Sequence, residues 1–146
     1  MAKVFIDTNV LLDMLLEERP GNGVAKTLFG AAKAGIFDGY ITTQSIIDAH
    51  FTASKNGLSF NAFKSAIQFL RSFIRILAID ELDLLWAIGN PTGDFEDDAQ
   101  YGSAYNGVCD FFITRDNALF KLNSPFCPMT VMTPSEFVAG MEIRDE

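Results

Sequence analysis

Acids placed just after apolar runs are the residues of this sequence best suited to chemistry. Asp7 follows Val4-Phe5-Ile6, and Asp116 stands two residues beyond Phe111-Phe112-Ile113-Thr114. A third group, Asp94, Glu96, Asp97 and Asp98, opens a helical stretch ahead of the Phe111 run. Carboxylates brought from three segments into one cleft repel one another unless a cation joins them. Oxygen ligands without His or Cys suit magnesium or manganese. His50 is the one histidine, which argues against a His-based zinc site and a Ser-His-Asp triad. Cys109 and Cys127 lack metal-ligand spacing and read as reduced packing residues.

Each acid also has a structural reading. Asp7 can cap the helix that follows it, and Asp97 with Asp94 resembles a helix-start pair. Asp116 in Thr114-Arg115-Asp116-Asn117 fits ordinary turn chemistry. Asp94, Glu96 and Asp98 read as caps or a solvated helix face. What favours a site is the arrival of Asp7, Asp97 and Asp116 at one place, and that depends on the elements carrying them.

The pattern predicts strands over Lys3–Ile6, Gly39–Thr42, Ile74–Ile79, Phe111–Thr114 and Thr130–Met132. Helices are expected from Asn9, a candidate N-cap, to about Glu18, then over Gly23–Ala34, closed by Gly35, and over Gln44–Lys55. Further helices are expected from a Ser59 cap to about Phe73, from an Asp80 cap to near Gly89, and over Asp94–Asn106 with Gly107 after its end. Asn90-Pro91-Thr92-Gly93 reads as a loop. Thr133-Pro134-Ser135-Glu136 is a capping box with proline at the first helical position, so a last short helix is expected. Strands alternating with helices predict an α/β fold, with about five parallel strands covered on both faces in three α/β/α layers. Sites in such folds lie outside the carboxyl ends of the strands. Asp7 and Asp116 fall there, and the helix start carrying Asp97 should point to the same edge.

The chain has 146 residues, is 49% hydrophobic and contains 14 Phe, which is ample for a core; one domain is expected. No apolar run reaches the ~20 residues of a membrane helix. The N-terminus meets Asp7 too soon to hold a signal-peptide apolar region, so a cytoplasmic location is expected. A net charge of −8 argues against a role resting on nucleic-acid affinity alone, which usually needs a basic surface. It is compatible with a nuclease whose acids surround a cation, and with a basic protein partner.

Four stretches, in order, resemble the PIN-domain family over nearly the whole chain. Val4-Phe5-Ile6-Asp7-Thr8-Asn9-Val10-Leu11-Leu12 resembles the family's opening, and Phe95-Glu96-Asp97-Asp98-Ala99 its acidic helix start. Phe112-Ile113-Thr114-Arg115-Asp116 resembles the strand ending in Thr-x-Asp, and Val131-Met132-Thr133-Pro134-Ser135-Glu136-Phe137 the closing strand and helix. The resemblance implies a metal-dependent ribonuclease, commonly the toxin of a VapC-type toxin–antitoxin pair and commonly a homodimer. It implies that Asp7, Asp97 and Asp116 hold Mg2+ or Mn2+, that Thr114 orients the site and that Asn9 hydrogen-bonds near Asp7. The family usually carries a Glu on the helix after the second strand, where this chain has Asp48. Being one methylene shorter, Asp48 is expected to be a secondary ligand, acting directly or through water, or else a plain helix-surface acid.

The chemistry so implied is hydrolysis of RNA phosphodiesters by a metal-activated water, with the carboxylates holding the metal and accepting a proton. Arg115 is a candidate phosphate contact or else a solvated loop arginine. One rival reading is a catalytically weak or inactive PIN fold that binds RNA or a protein. Another is an Asp-nucleophile phosphotransferase, disfavoured because Asp7-Thr8-Asn9 lacks the usual second Asp. The stretch Phe60–Phe73 places Phe60, Phe63, Ile67 and Leu70 on one face. Self-association is expected from it, against the alternative of a helix sandwiched in the core.

Overall fold

The apolar run Val4-Phe5-Ile6 is fully buried, and the fold is arranged around it. In the computed structural model, which describes residues 1–89 and 92–144, this run lies in β1 (Lys3–Ile6). The chain continues through α1 (Thr8–Leu15), α2 (Asn22–Lys33), β2 (Asp38–Thr42), α3 (Thr43–Lys55) and α4 (Phe60–Leu70). Then follow β3 (Ile74–Leu77), α5 (Glu81–Gly89), α6 (Phe95–Asn106) and β4 (Phe111–Ile113). A 3-10 turn (Asn117–Leu122), β5 (Thr130–Met132) and α7 (Pro134–Arg144) complete the described residues.

The five described strands are all parallel, in the order β3-β2-β1-β4-β5. Successive strand residues face opposite sides of the sheet. Val4 and Ile6 accordingly join one core with Val10, Leu11, Leu28 and Phe137, from α1, α2 and α7. Phe5 joins the other with Phe112, Tyr101 and Leu119, under α6 and the 3-10 turn. The rings of Phe5 and Phe112 stack at 4.9 Å. This is the three-layer parallel arrangement that the sequence predicts. Gly39 in β2 allows close packing there, since a Cβ would lie 2.5 Å from Ile74 Cδ1.

Several boundaries move for identifiable reasons. Asp7, not Asn9, caps α1, because its carboxylate accepts from Thr8 N at 2.8 Å. That helix ends at Leu15 rather than near Glu18; the Asn22 side chain takes the carbonyls of Asp13 and Met14 at 2.8 and 3.3 Å. The expected strand to Ile79 stops at Leu77, its last pairing residue with β2. In α4, Phe63 and Leu70 are buried, but Phe60 stays 60% exposed, one turn short of the core. The loop expected at Asn90–Gly93 has its first two residues outside the described ones. The final capping box forms as expected, with Glu136 N donating to Thr133 Oγ1 at 3.1 Å.

Gly107 follows α6, yet the left-handed residue is its neighbour Val108, with φ of 60°. Gly107 serves space instead: a Cβ there would meet Leu77 Cδ1 at 3.1 Å and Ser103 O at 3.2 Å. A β-branched residue is strained in the left-handed region. Val108 is 71% exposed, so its side chain returns little packing. Val108→Gly should therefore stabilise the protein by about 1 kcal/mol, read as a higher urea midpoint at unchanged slope.

Candidate metal centre

The connections of β1 and β4 leave toward opposite edges of the sheet: β1 leads to β2, β4 to β5. Such a reversal opens a crevice beyond the strand ends. Asp7 sits in it. Its backbone N–H donates to Ile113 O at 3.0 Å, and its Oδ2 accepts from Thr114 Oγ1 at 2.8 Å. Thr114 Oγ1 in turn accepts from Asn9 Nδ2 at 3.1 Å and from Asp116 N at 3.0 Å. One hydroxyl thus uses its donor and both acceptor positions to tie β1, α1 and the end of β4 together.

The start of α6 reaches the same crevice. Asp94 caps it through Asp97 N at 3.0 Å. Asp94, Asp97 and Asp116 each offer a carboxylate oxygen within 4.8 Å of the others. Asp116 also caps the 3-10 turn through Ala118 N at 2.9 Å, so its turn role and its place in the cluster coexist. On the opposite wall, Asp48 from α3 hydrogen-bonds Glu96 from α6. Asp7, Asn9, Asp48, Glu96 and Asp97 line one hollow of about 260 Å3.

Two carboxyl groups can hydrogen-bond only by keeping a proton between them. Burial, with the bond to Asp116 and the charges around it, pushes Asp97 up to about 9, while Asp116 is held below its ordinary value by the bond from Asp97. Burial and the bond to Asp48 push Glu96 up to about 7. Burial also raises Asp7 to about 6, against the opposing bonds from Thr114 and Thr8. Asp97 Oδ2 is a buried oxygen without a hydrogen-bond donor. Such an oxygen among acids marks a place that a proton or a cation fills. Asp98 Oδ2 is likewise buried without a donor, but Asp98 Oδ1 accepts from Thr92 Oγ1 at 2.6 Å and the residue does not line the hollow. The donors are carboxylate oxygens throughout. His50 lies against the rings of Phe60 and Phe63, and Cys109 is buried with its thiol pushed up to about 12 by desolvation. The set fits a hard cation of the magnesium or manganese kind.

Beneath these acids lies a buried group of hydroxyls around Gln100. Its Nε2 donates to Ser45 Oγ at 2.6 Å and Thr8 Oγ1 at 3.0 Å, and its Oε1 accepts from Thr42 Oγ1 at 2.8 Å. Thr8 follows Asp7, Ser45 precedes Asp48 by three residues, and Gln100 follows Asp97 by three. The elements bearing all three acids are therefore locked together from below.

A PIN-domain family model matches residues 3–118. The chain belongs to the PIN-domain family. No curated protein matches it by sequence. Among solved structures, it is similar to VapC20 of Mycobacterium tuberculosis, described as a sarcin-ricin-loop-cleaving toxin. Identity is 12% over 78% of this chain and 90% of that one, with a TM-score of 0.64. It is similar to a toxin–antitoxin complex from Klebsiella pneumoniae at 18% identity, over 90% and 97% of the two chains, with a TM-score of 0.64. It also resembles VapBC2 of Rickettsia felis, solved with a promoter DNA fragment, at 14% identity over 90% and 98%, with a TM-score of 0.61.

Within this PIN domain, Asp7, Asn9, Asp97, Thr114 and Asp116 stand together, with Asp48 facing them. Asp94 and Glu96, which the sequence leaves as cap or solvated face, belong to the same crevice. The i, i+4 spacing of Glu96 and Gln100 is the sequence signal for that shared face. Arg115 turns away. Its Nε and Nη2 donate to Asp13 Oδ2 and Oδ1 at 2.6 and 2.9 Å. Asp13 is 2% exposed and needs a cation, and the guanidinium fork supplies one in two-point geometry. Arg115 is thus engaged by Asp13 while its side chain stays about half exposed.

Removing that partner strands a buried carboxylate, partly compensated by Arg19 at 3.5 Å. Arg115→Met should cost about 2 kcal/mol in urea unfolding, less than for a fully buried pair, and leave metal affinity unchanged. The acids give a second prediction. Groups with raised values stabilise the fold fully below their unfolded values, near 4, and lose that contribution as pH rises through about 6, 7 and 9 for Asp7, Glu96 and Asp97. Asp116 has the opposite sign, its contribution being lost as pH falls below about 4. The melting temperature of metal-free protein should therefore fall from about pH 5 to pH 9. Stabilisation by magnesium should grow over the same range, because the ion displaces protons. A flat metal-free profile would show that the acids are uncoupled.

Proposed function

We propose that this PIN-domain protein is a Mg2+- or Mn2+-dependent endoribonuclease. The observation that supports it is the gathering of carboxylates from α3, the start of α6 and the ends of β1 and β4 in one crevice, where burial pushes Asp7, Glu96 and Asp97 above the ordinary carboxylate range. Asp7, Asp97 and Asp116 would hold the ion, with Asp94 beside them. When bound, it lowers the pKa of a water and stabilises charge on phosphoryl oxygens. Thr114 and Asn9 fix the Asp7 carboxylate in one rotamer, so its free oxygen lobe stays directed into the crevice. Glu96, hydrogen-bonded to Asp48 and raised by burial, stands on the facing wall and is placed to exchange a proton with an attacking water or a leaving oxygen.

The toxin–antitoxin complexes among the structural neighbours support a protein antitoxin as partner, and the charge of −8 favours a basic one. A homodimer is in keeping with the exposed rings of Phe60 and Phe69 on α4. We read the chain as one PIN domain acting on single-stranded regions of RNA in the cytoplasm; no described helix is long and apolar enough to cross a membrane.

Asp97→Asn separates a structural from a metal-holding role. Asn retains the backbone N–H that Asp94 caps and fits the first turn of a helix, so folding should be kept at a cost under about 1 kcal/mol. The charge needed by a dication is lost. Weaker stabilisation by manganese in thermal melts and loss of RNA cleavage should appear together. A mutant that melts like the wild type with and without manganese would place Asp97 outside the metal site.

A further inference from the structure

A second hollow of about 310 Å3 adjoins the acid crevice. Asp48 and Glu96 line both, so they form the wall between them. Beyond that wall the surroundings change from carboxylate to apolar: Ile79, Leu84, Phe95 and Ala99, with Gln44 at the polar end. The volume is at the lower end for ligand pockets, which suits one planar ring system rather than a peptide helix.

Two side chains in it are prepared for a ligand. Phe95, the first residue of α6, is 53% exposed, and among the described residues its ring packs against no other aromatic or cation. Gln44 donates its Nε2 to Asp48 Oδ1 at 2.9 Å, which fixes the side chain and leaves Oε1 as an acceptor. Single-stranded RNA is read by stacking unpaired bases on aromatic rings and hydrogen-bonding their edges. A backbone whose phosphate lies at the acids carries its next base to this wall.

We infer that this hollow is a nucleobase subsite, which takes the unpaired base flanking the phosphate held at the acids. The base stacks on Phe95 between Leu84 and Ile79, and Gln44 Oε1 accepts from an exocyclic amino group. Adenine, cytosine and guanine therefore bind there better than uracil. The inference rests on the nuclease reading above and adds to it the state and composition of the substrate: a single-stranded segment with an amino-bearing base beside the cut.

The test uses the full chain and short single-stranded RNA oligonucleotides carrying one 2-aminopurine, moved along the sequence, in calcium to hold the phosphate without turnover. At one position the probe's fluorescence should be quenched on binding. Phe95→Ala should weaken oligonucleotide binding roughly tenfold or more and abolish the quenching, while Phe95→Tyr retains both. Manganese stabilisation of Phe95→Ala should match the wild type, showing the fold and the acids intact. Replacing the flanking base by uracil should weaken binding to the wild type and make no difference to Phe95→Ala.

No quenching at any position, no oligonucleotide binding at all, or equal binding by Phe95→Ala overturns the subsite. A change in oligomeric state with Phe95→Ala, at unaltered oligonucleotide affinity, also overturns it and assigns the hollow to a second copy of the chain. The two readings separate cleanly. Phe95-dependent stacking without cleavage in magnesium or manganese removes the nuclease and keeps the subsite. Cleavage whose base preference and KM survive Phe95→Ala does the reverse.

Discussion

Mutual repulsion among carboxylates at the end of β1 is the constraint that the rest of this structure serves. Asp7, Asp97 and Asp116 would separate if their elements were free to move, since like charges in a poorly solvated crevice disfavour one another strongly. The sheet does not let them. Asp7 is fixed by a backbone bond to Ile113, and Asp116 donates its N–H to the Thr114 hydroxyl that also holds Asp7, so the ends of the two paired strands keep the acids together. The repulsion instead raises the proton affinity of the acids, and Asp97 and Glu96 are pushed well above the ordinary carboxylate range.

The Gln100 group shows how helices are brought to the same standard. Apolar packing would join α3, α6 and the start of α1, but it tolerates small rotations. Three short hydrogen bonds from one amide do not, and an unsatisfied partner would be costly at zero exposure. A rotation of α6 that broke this contact would also swing Glu96 and Asp97, one turn earlier, away from Asp48 and Asp116. The same logic applies to Thr114, whose hydroxyl is saturated by Asp7, Asn9 and Asp116. Polar contacts under the crevice therefore specify geometry, while the Phe5–Phe112 stack and the Val4–Ile6 face provide the burial that offsets the repulsion.

The sheet was legible in the sequence because strands buried on both faces show as short apolar runs, and β1 and β4 are such runs. Asp7 and Asp116 were legible for the same reason, as the first acids beyond those runs. Helix ends were less so. The end of α1 depends on Asn22, from the next helix, and the left-handed residue after α6 is Val108, while Gly107 makes room for Leu77. Glu96 and Gln100 were hidden for a related reason. Their roles are set by which face of α6 meets α3, and with acids at 94, 96, 97 and 98 around its start the i, i+4 spacing of Glu96 and Gln100 was the one signal for that face. Arg115 stood beside a candidate ligand, but its partner Asp13 is 102 residues away.

The acidity of the chain looks at odds with a phosphate-bearing substrate, and the protonated pairs resolve the conflict. The formal −8 counts every carboxylate as ionised. Burial and neighbouring acids keep Asp97 and Glu96 more protonated near neutral pH than free carboxyls, so the crevice is less negative than its composition. A dication entering there expels protons from these carboxyls, so the total charge rises by less than the ion's own charge. What changes is the location of positive charge: diffuse protons shared along carboxyl pairs become one ion at a fixed point. A phosphate responds to the local ion and to the neutralised ligands around it, and distant surface acids are screened within about 8 Å in physiological salt. The crevice can thus attract an anion on a protein that, taken as a whole, repels it.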